Sequence, residues 1–112
     1  MTRWEAIRNG SILFYRFADP PWGEIPHGFL TRRGGVSAPP FASLNLSHSV
    51  GDDPAAVAEN LRRAFAAAGL RPEETVTAWL VHGNRVLVVD ARHGGAALEG
   101  VDGLITAERG LA

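Results

Sequence analysis

The sequence predicts a mixed α/β fold, with a largely antiparallel sheet and one clear helix at about residues 54–68. Three observations lead to this prediction. Apolar residues recur at helical spacing after Pro54, and short runs rich in aromatic and β-branched residues lie on both sides of that segment. Stretches rich in glycine and proline separate these runs. A chain of 112 residues fits one domain with a modest core.

The N-terminal part predicts two strands and then a long loop. Ser11 to Phe17 predict the first strand, which the Asp19-Pro20-Pro21 segment ends. Ile25 to Thr31 predict the second strand, although Pro26 favours its first positions or an edge. Residues 32–50 show no periodic pattern. We therefore predict a shaped loop there, and a loop of this length in a small domain is usually functional.

The helix has a start signal, an apolar stripe and a stop signal. Asp53 can cap the first free amides, and Pro54 suits the first helical position. Gly69 can adopt the left-handed conformation that ends a helix, and Pro72 prevents the helix from resuming. The stripe consists of apolar residues at helical spacing: Val57, Leu61, Ala64, Phe65 and Ala68.

The C-terminal third predicts a hairpin and one further strand. Val76 to Val81 and Arg85 to Asp90 are strand-like, and His82-Gly83-Asn84 joins them. Because such a link supplies positive φ angles cheaply, we predict that the two strands pair as an antiparallel hairpin. Residues 91–100 predict a glycine-rich loop, and Val101 to Thr106 predict a last short strand.

Composition excludes several classes of function. The net charge is −1 with acids and bases interleaved, so nothing indicates nucleic-acid binding. The apolar runs are too short to span a bilayer, and the N-terminus does not resemble a secretory signal, so we expect a cytoplasmic protein. The chain has no cysteine, which excludes disulfides, cysteine-ligated zinc and a thiol nucleophile within it.

Imidazole is the commonest protein metal ligand, so the four histidines are candidates. They are His27, His48, His82 and His93, and no two have the local spacing of a metal motif. Any metal site must therefore be assembled across the fold. His82 is mildly favoured because the glycine beside it leaves open access. We expect His93 to be exposed to solvent.

The Arg32-Arg33-Gly34-Gly35 segment is the second candidate. Guanidinium groups suit phosphate, and glycine amides can approach an anion closely. The alternative is a surface turn with solvated arginines, and the residues alone leave both interpretations open.

Several polar residues near these segments have two interpretations each. Asn45 either ties the backbone together or contacts substrate, and the first role is favoured. Asn60 either reaches from the helix to the loop or lies on a solvated helix face. Asp52 and Asp53 are interpreted as helix caps. Asp102 is an acid, a partner that orients a histidine, or a turn residue.

Three segments together resemble the laccase-domain family, also called YfiH-type or polyphenol oxidase proteins. They lie in the expected order between about residues 26 and 106. The first runs from Thr31 to Leu46. The second is Val50-Gly51-Asp52-Asp53-Pro54 with Val57 and Glu59-Asn60, and the third is Val81-His82-Gly83-Asn84-Arg85-Val86.

The resemblance implies the N-terminal portion of a single laccase-type domain, with residues 1–112 lacking the family's later motifs. It implies phosphorolysis of adenosine, inosine and methylthioadenosine, and deamination of adenosine. An older interpretation of the family is a copper-dependent polyphenol oxidase. The family's metal site has two histidines and one cysteine, and His82 corresponds to the first histidine. The other two ligands belong to Thr-Ala-Asp-Cys and His-Ala-Gly-Trp-Arg-Gly motifs, which this chain does not contain.

These implications define the expected site. His82 is the metal ligand and catalytic residue, with zinc as the metal and copper as the alternative. The expected partners are a purine nucleoside, phosphate and the C-terminal portion of the domain, but neither nucleic acid nor membrane. Arg32 is preferred to Arg33 for phosphate because it lies in the family motif. Residues assigned to substrate binding are Arg32, Gly34, Gly35, Ser37 and Asn45.

The chain departs from the family pattern at two positions. Leu80 replaces the usual glutamine before Val-His-Gly, and Leu61 replaces an arginine that often follows Glu-Asn. With one imidazole and no cysteine, we expect the chain alone to bind metal weakly and to have little activity. The alternatives to a phosphorylase are a non-catalytic fragment or binding module, and a copper-dependent phenol oxidase.

Overall fold

A computed structural model describes residues 2–112 and divides the chain into two compact units, with the boundary between Gly69 and Leu70. Within the described residues there is one α-helix, a three-stranded antiparallel sheet and two two-stranded parallel sheets. The predicted mixed α/β class is therefore confirmed. No helix in this part of the chain has both the length and the apolar character needed to cross a bilayer.

The sheet of the first unit contains strands β1 (Trp4–Asn9), β2 (Ile12–Phe17) and β3 (Phe29–Leu30). The predicted first strand is confirmed as β2. The predicted second strand is only two residues long, because a 3-10 turn at Trp22–Glu24 and irregular backbone precede it. Strand β1 was not predicted, because charged residues interrupt its apolar ones, although it pairs with β2 along its whole length.

Helix α1 (Pro54–Ala68) has the predicted boundaries. Asp53 accepts a hydrogen bond from the Ala55 amide at 3.0 Å, so Asp53 is the N-terminal cap. Gly69 ends the helix at φ +70°, and its amide bonds back to the last turn. The buried apolar residues of the first unit lie on β2, on the long loop and on α1: Ile12, Leu44, Val57 and Ala64.

The second unit has four short strands, which are β4 (Thr77–Trp79), β5 (Val86–Val89), β6 (Ala97–Glu99) and β7 (Gly103–Thr106). The pairs are β4 with β6 and β5 with β7, and both are parallel. Val76, Val89 and Val101 are its buried apolar residues.

The predicted hairpin between residues 76–81 and 85–90 is therefore wrong. The segment from Leu80 to Arg85 connects β4 and β5 without pairing them, because its amides bond to a later part of the chain. Each strand instead pairs with one that follows a longer crossover, as parallel strands require. The predicted glycine-rich loop at residues 91–100 contains a 3-10 turn (Ala91–His93) and β6.

Candidate functional site

The long loop of the first unit closes on Ser43. The carbonyl oxygen of Arg32 accepts hydrogen bonds from the Ser43 amide at 3.0 Å, the Leu44 amide at 2.9 Å and the Ser43 hydroxyl at 2.9 Å. The Gly35 amide donates to the Ser43 Oγ at 3.1 Å, and the Ser37 amide donates to the Ser43 carbonyl at 2.9 Å. The loop backbone is therefore fixed on both sides of the two glycines.

Both glycines are required by close backbone contacts. Gly34 has φ +98°, and a Cβ atom there would lie 2.3 Å from the Ser11 carbonyl oxygen. A Cβ atom on Gly35 would lie 2.0 Å from the Ser43 carbonyl oxygen. No side chain fits at such distances without movement of the backbone. The amide of Gly35 is already bonded within the loop, and a direct role of either glycine in substrate binding stays a prediction.

Asn60 joins α1 to this loop. Its side chain is 0% exposed. Its Oδ1 accepts from the Val36 amide at 2.8 Å, and its Nδ2 donates to the Ser37 Oγ at 2.9 Å and to the Asn45 carbonyl at 2.8 Å. The interpretation that Asn60 reaches from the helix to the loop is confirmed. It satisfies buried backbone groups that would otherwise be costly to remove from water.

Asp52 completes the same network. Its Oδ2 accepts from the Ser37 hydroxyl at 2.5 Å and from the Asn45 amide group at 3.1 Å, and its Oδ1 accepts from the Asp53 amide. The Ser37 hydrogen bond lowers the pKa of Asp52; desolvation opposes this effect, and the bonds from Asn45 and Asp53 reinforce it. The prediction that Asp52 is a helix cap is wrong, because the carboxylate bonds to the loop instead. A substrate contact by Ser37 or Asn45 stays a prediction.

The two arginines of the loop present their side chains to solvent. Arg32 and Arg33 are exposed, and within residues 2–112 neither forms an ion pair with a carboxylate. A third arginine supports the backbone: Arg63 donates from Nη1 to the Gly34 carbonyl at 3.0 Å and from Nε to Glu59 Oε1 at 2.8 Å. The loop therefore offers two guanidinium groups on a fixed backbone, an arrangement that suits an anion.

His82 lies in a second constrained loop. It is exposed and has φ +58°, the only positive φ among the described residues other than glycine. The amides on either side of it donate to one carboxylate: Val81 to Asp102 Oδ1 and Gly83 to Asp102 Oδ2, both at 3.0 Å. The Asp102 amide donates to the Arg85 carbonyl at 2.9 Å. The imidazole is thus free to bind a ligand while its backbone is held.

Two other histidines have structural bonds. The Nε2 atom of His27 accepts from the Phe17 amide at 2.9 Å, and its Nδ1 lies 2.6 Å from the Ile25 carbonyl. The Nδ1 atom of His93 accepts from the Asp90 amide at 3.0 Å in a capping arrangement. The predicted exposure of His93 is wrong, because this bond holds a ring that is only 27% exposed.

The described residues do not assemble a metal site. Among residues 2–112, no group of three or more histidine, cysteine, aspartate or glutamate side chains could hold a metal ion. The exposed His82 imidazole fits the requirements of a single ligand, and a zinc site needs three or four. A role of His82 as a metal ligand therefore stays a prediction.

The role of Ser43, on which the loop closes, was not predicted. Its hydroxyl donates to the Arg32 carbonyl and accepts from the Gly35 amide, which lie eleven and eight residues before it in the sequence. A serine followed by leucine gives no local signal of such a bond. The roles open to Asp102 also could not be distinguished from the sequence, because they depend on contacts across nineteen and twenty-one residues.

Comparison with known proteins identifies relatives of this chain. Residues 26–112 match the family described as multi-copper polyphenol oxidoreductase laccase. A purine nucleoside phosphorylase from Corynebacterium glutamicum is 46% identical over 95 residues, covering 84% of this chain and 39% of the relative. One from Mycobacterium bovis is 54% identical over 82 residues, covering 73% of this chain and 32% of the relative. The chain thus spans about two-fifths or less of the relatives' length.

Solved structures agree with the family match. The crystal structure of YlmD from Geobacillus stearothermophilus superposes with a TM-score of 0.84 at 34% identity, covering 95% of this chain and 42% of that one. The YfiH protein of Bacillus licheniformis gives a TM-score of 0.80 at 27% identity, covering 98% and 41%. The chain therefore belongs to the YfiH-type laccase-domain family, described as multi-copper polyphenol oxidoreductase laccase.

Proposed function

We propose that the complete protein containing this chain is a purine nucleoside phosphorylase. The observation that carries the proposal is the Arg32 loop, whose backbone is fixed while its guanidinium has no carboxylate partner in residues 2–112. Arginine in such a setting is suited to bind inorganic phosphate, the nucleophile of phosphorolysis. The names of the relatives from C. glutamicum and M. bovis support the same activity.

In the proposed reaction, a phosphate oxygen forms a bond to C1′ of the ribose while the bond from C1′ to the purine nitrogen breaks. The base leaves with the proton that the hydrogen phosphate loses. The second product is ribose 1-phosphate, or 5-methylthioribose 1-phosphate from methylthioadenosine. Arg32 would hold the phosphate and balance part of its charge. The bonds made by Gly35, Ser37 and Asn45 support this role by fixing the path of the loop. Adenosine, inosine and methylthioadenosine are the proposed substrates.

We also propose that His82 provides one ligand to a metal ion whose other ligands are a cysteine and a histidine outside this chain. When bound, zinc in such a site can lower the pKa of water and so supply a hydroxide for deamination of adenosine. Copper is the alternative metal. The support from this chain is the exposed imidazole of His82 on a held backbone.

Two other functions remain as alternatives. The family description names a polyphenol oxidoreductase, which favours a copper-dependent oxidation of phenols. A binding module without catalysis is the other alternative, since the described residues contain no group of three or more side chains that could hold a metal ion.

One pair of assays separates these functions. The complete protein is incubated with adenosine, with and without phosphate, and adenine, inosine and ribose 1-phosphate are quantified by chromatography. Phosphate-dependent release of adenine supports the phosphorylase, and inosine formed without phosphate reports deamination. The same preparation, loaded with copper, is assayed with a phenol. Strong phenol oxidation without adenine release would replace the proposal, and neither activity would favour the binding module.

A further inference from the structure

The carboxylate of Asp102 bonds to the backbone on both sides of His82. Its two oxygens accept from the Val81 and Gly83 amides, at 3.0 Å each. Asp102 itself is fixed, since its amide and that of Gly103 donate to the Arg85 carbonyl at 2.9 and 3.3 Å. Residues 81–85 are thus joined to the start of β7 by four hydrogen bonds.

This arrangement stabilises an unfavourable backbone conformation. A residue with a Cβ atom at φ +58° is uncommon, and surrounding bonds must offset its steric cost. Two amides that point to the same side of a left-handed residue form a concave anion site. Here the anion is the carboxylate of Asp102. The conformation of His82 is therefore coupled to this one side chain.

Gly83 permits the carboxylate to approach. A Cβ atom at this position would lie 3.1 Å from Asp102 Oδ2. The φ angle of Gly83 is not positive, so backbone freedom does not explain the glycine. An alanine here would require the carboxylate to shift by a few tenths of an ångström.

We propose that Asp102 is a positioning residue that holds the His82 backbone in its left-handed conformation and thereby directs the imidazole to the metal. The inference rests on the proposed role of His82 as a metal ligand. Asp102 acts through main-chain amides and not through the imidazole ring. This contrasts with the usual orientation of a ligating histidine by a bond to its second ring nitrogen.

The test compares Asp102→Asn with Asp90→Asn in the complete protein. Asparagine keeps the size of aspartate but replaces one acceptor oxygen with an NH2 group, so one of the two amides loses its partner. Asp90 is a matched control, because it is also a carboxylate that accepts a backbone amide, from Arg92 at 3.0 Å, in the same unit. Gly83→Ala is a second variant, which places a methyl group against the Asp102 carboxylate without removing that carboxylate.

Three readouts are taken from each variant: thermal stability, the zinc dissociation constant, and amide hydrogen exchange at residues 81–83. We expect Asp102→Asn to speed exchange at these amides and to weaken zinc binding by about 10–100-fold, the range for residues that orient metal ligands. Gly83→Ala should shift both in the same direction. Asp90→Asn should leave zinc binding unchanged whatever its effect on stability.

The outcomes distinguish this inference from the proposed function. Equal zinc affinity in Asp102→Asn and Asp90→Asn, at equal folded fraction, would overturn the positioning role. Unchanged exchange at the Val81 and Gly83 amides in Asp102→Asn would show that the carboxylate does not hold these two amides, and would overturn the inference at its first step. A complete protein that binds zinc through His82 but releases no purine base would instead refute the proposed phosphorylase and leave the role of Asp102 intact.

Discussion

Asn60 on α1 donates from its Nδ2 to the hydroxyl of Ser37 at 2.9 Å, and both residues are almost fully buried. This bond joins helix α1 to the irregular loop at residues 32–50. Because the same asparagine also bonds to the Val36 amide and the Asn45 carbonyl, the loop and the helix hold one another in place. The stability of the first unit should therefore depend strongly on this single side chain.

Asn60→Ala should lower the free energy of unfolding by about 3 kcal/mol, since each buried polar group left without a partner costs roughly 1–3 kcal/mol. Asn9→Ala is the matched control, because Asn9 is exposed and its side chain donates one hydrogen bond, to the Ala67 carbonyl at 3.1 Å. It should cost about 1 kcal/mol or less. Urea unfolding followed by tryptophan fluorescence measures both. A similar decrease in the free energy of unfolding in the two variants would show that burial of the Asn60 hydrogen bonds contributes little to stability.

Gly35→Ala should destabilise the chain more than Gly51→Ala. The added Cβ at residue 35 would lie 2.0 Å from the Ser43 carbonyl, so the backbone must move. Gly51 has φ +93° with open space around it, so alanine there costs only conformational strain, on the order of 1–2 kcal/mol. Unfolding midpoints in urea compare the two. A larger loss at residue 51 would contradict the closed loop.

The fold was predictable where local signals agree. Asp53-Pro54, the apolar stripe and Gly69 gave α1 its correct boundaries. The hairpin prediction is wrong for a physical reason. The glycine after His82 indicates a turn, but the Val81 and Gly83 amides of that segment donate to the Asp102 carboxylate, a contact that no local pattern reveals. Strand β1 was missed because pairing with β2, and not an apolar pattern, makes it a strand.

The candidate site was predictable to a similar degree. The residues alone leave two interpretations of Arg32, Arg33 and the two glycines, an anion-binding loop and a surface turn. The alternatives for Asn60 include its contact with that loop. No local pattern indicates that Asp52 accepts hydrogen bonds from Ser37 and Asn45 instead of capping the helix. Such contacts depend on how the chain returns on itself, so only the folded structure contains them.

The stability of the first unit should fall in acid, between pH 4.5 and about 2. Hydrogen bonds from Arg62 and Arg63 lower the pKa of Glu59 from 4.5 to about 2. A carboxylate with a lowered pKa in the folded state stabilises the fold above its unfolded value, and this contribution is lost as the pH falls through the folded value. Glu59→Gln should therefore flatten the pH dependence in this range. Urea titrations of both proteins across it provide the measurement.

The effect of Glu59 should also decrease with salt, because the three side chains are partly exposed. Identical pH profiles for the two proteins at low salt would exclude this contribution.

Arg32→Ala in the complete protein should raise the KM for phosphate at least about tenfold, since a hydrogen bond to a charged group contributes roughly 1.5–3 kcal/mol. Arg33→Ala is the control, because it removes the neighbouring exposed guanidinium. Phosphate titrations at saturating nucleoside give both constants. An unchanged phosphate dependence in Arg32→Ala would remove this residue from the site.

The chain alone should bind zinc more weakly than micromolar, because His82 is one ligand and the described residues complete no cluster. Isothermal titration of the 112-residue chain with zinc measures this directly. His82→Ala controls for the contribution of the other histidines. Stoichiometric binding below one micromolar that His82→Ala abolishes would mean that the chain assembles a site by itself.

The three donors to the Arg32 carbonyl have a consequence for the thermodynamics of ligand capture. Because Ser43 and Leu44 already hold this peptide unit, an anion that meets Arg32 orders one flexible side chain and no backbone. The conformational entropy that the protein loses on binding is then limited to about 0.5–1.5 kcal/mol for that side chain. Capture should proceed without a slow conformational step, so its rate should vary with ionic strength and hardly at all with loop dynamics.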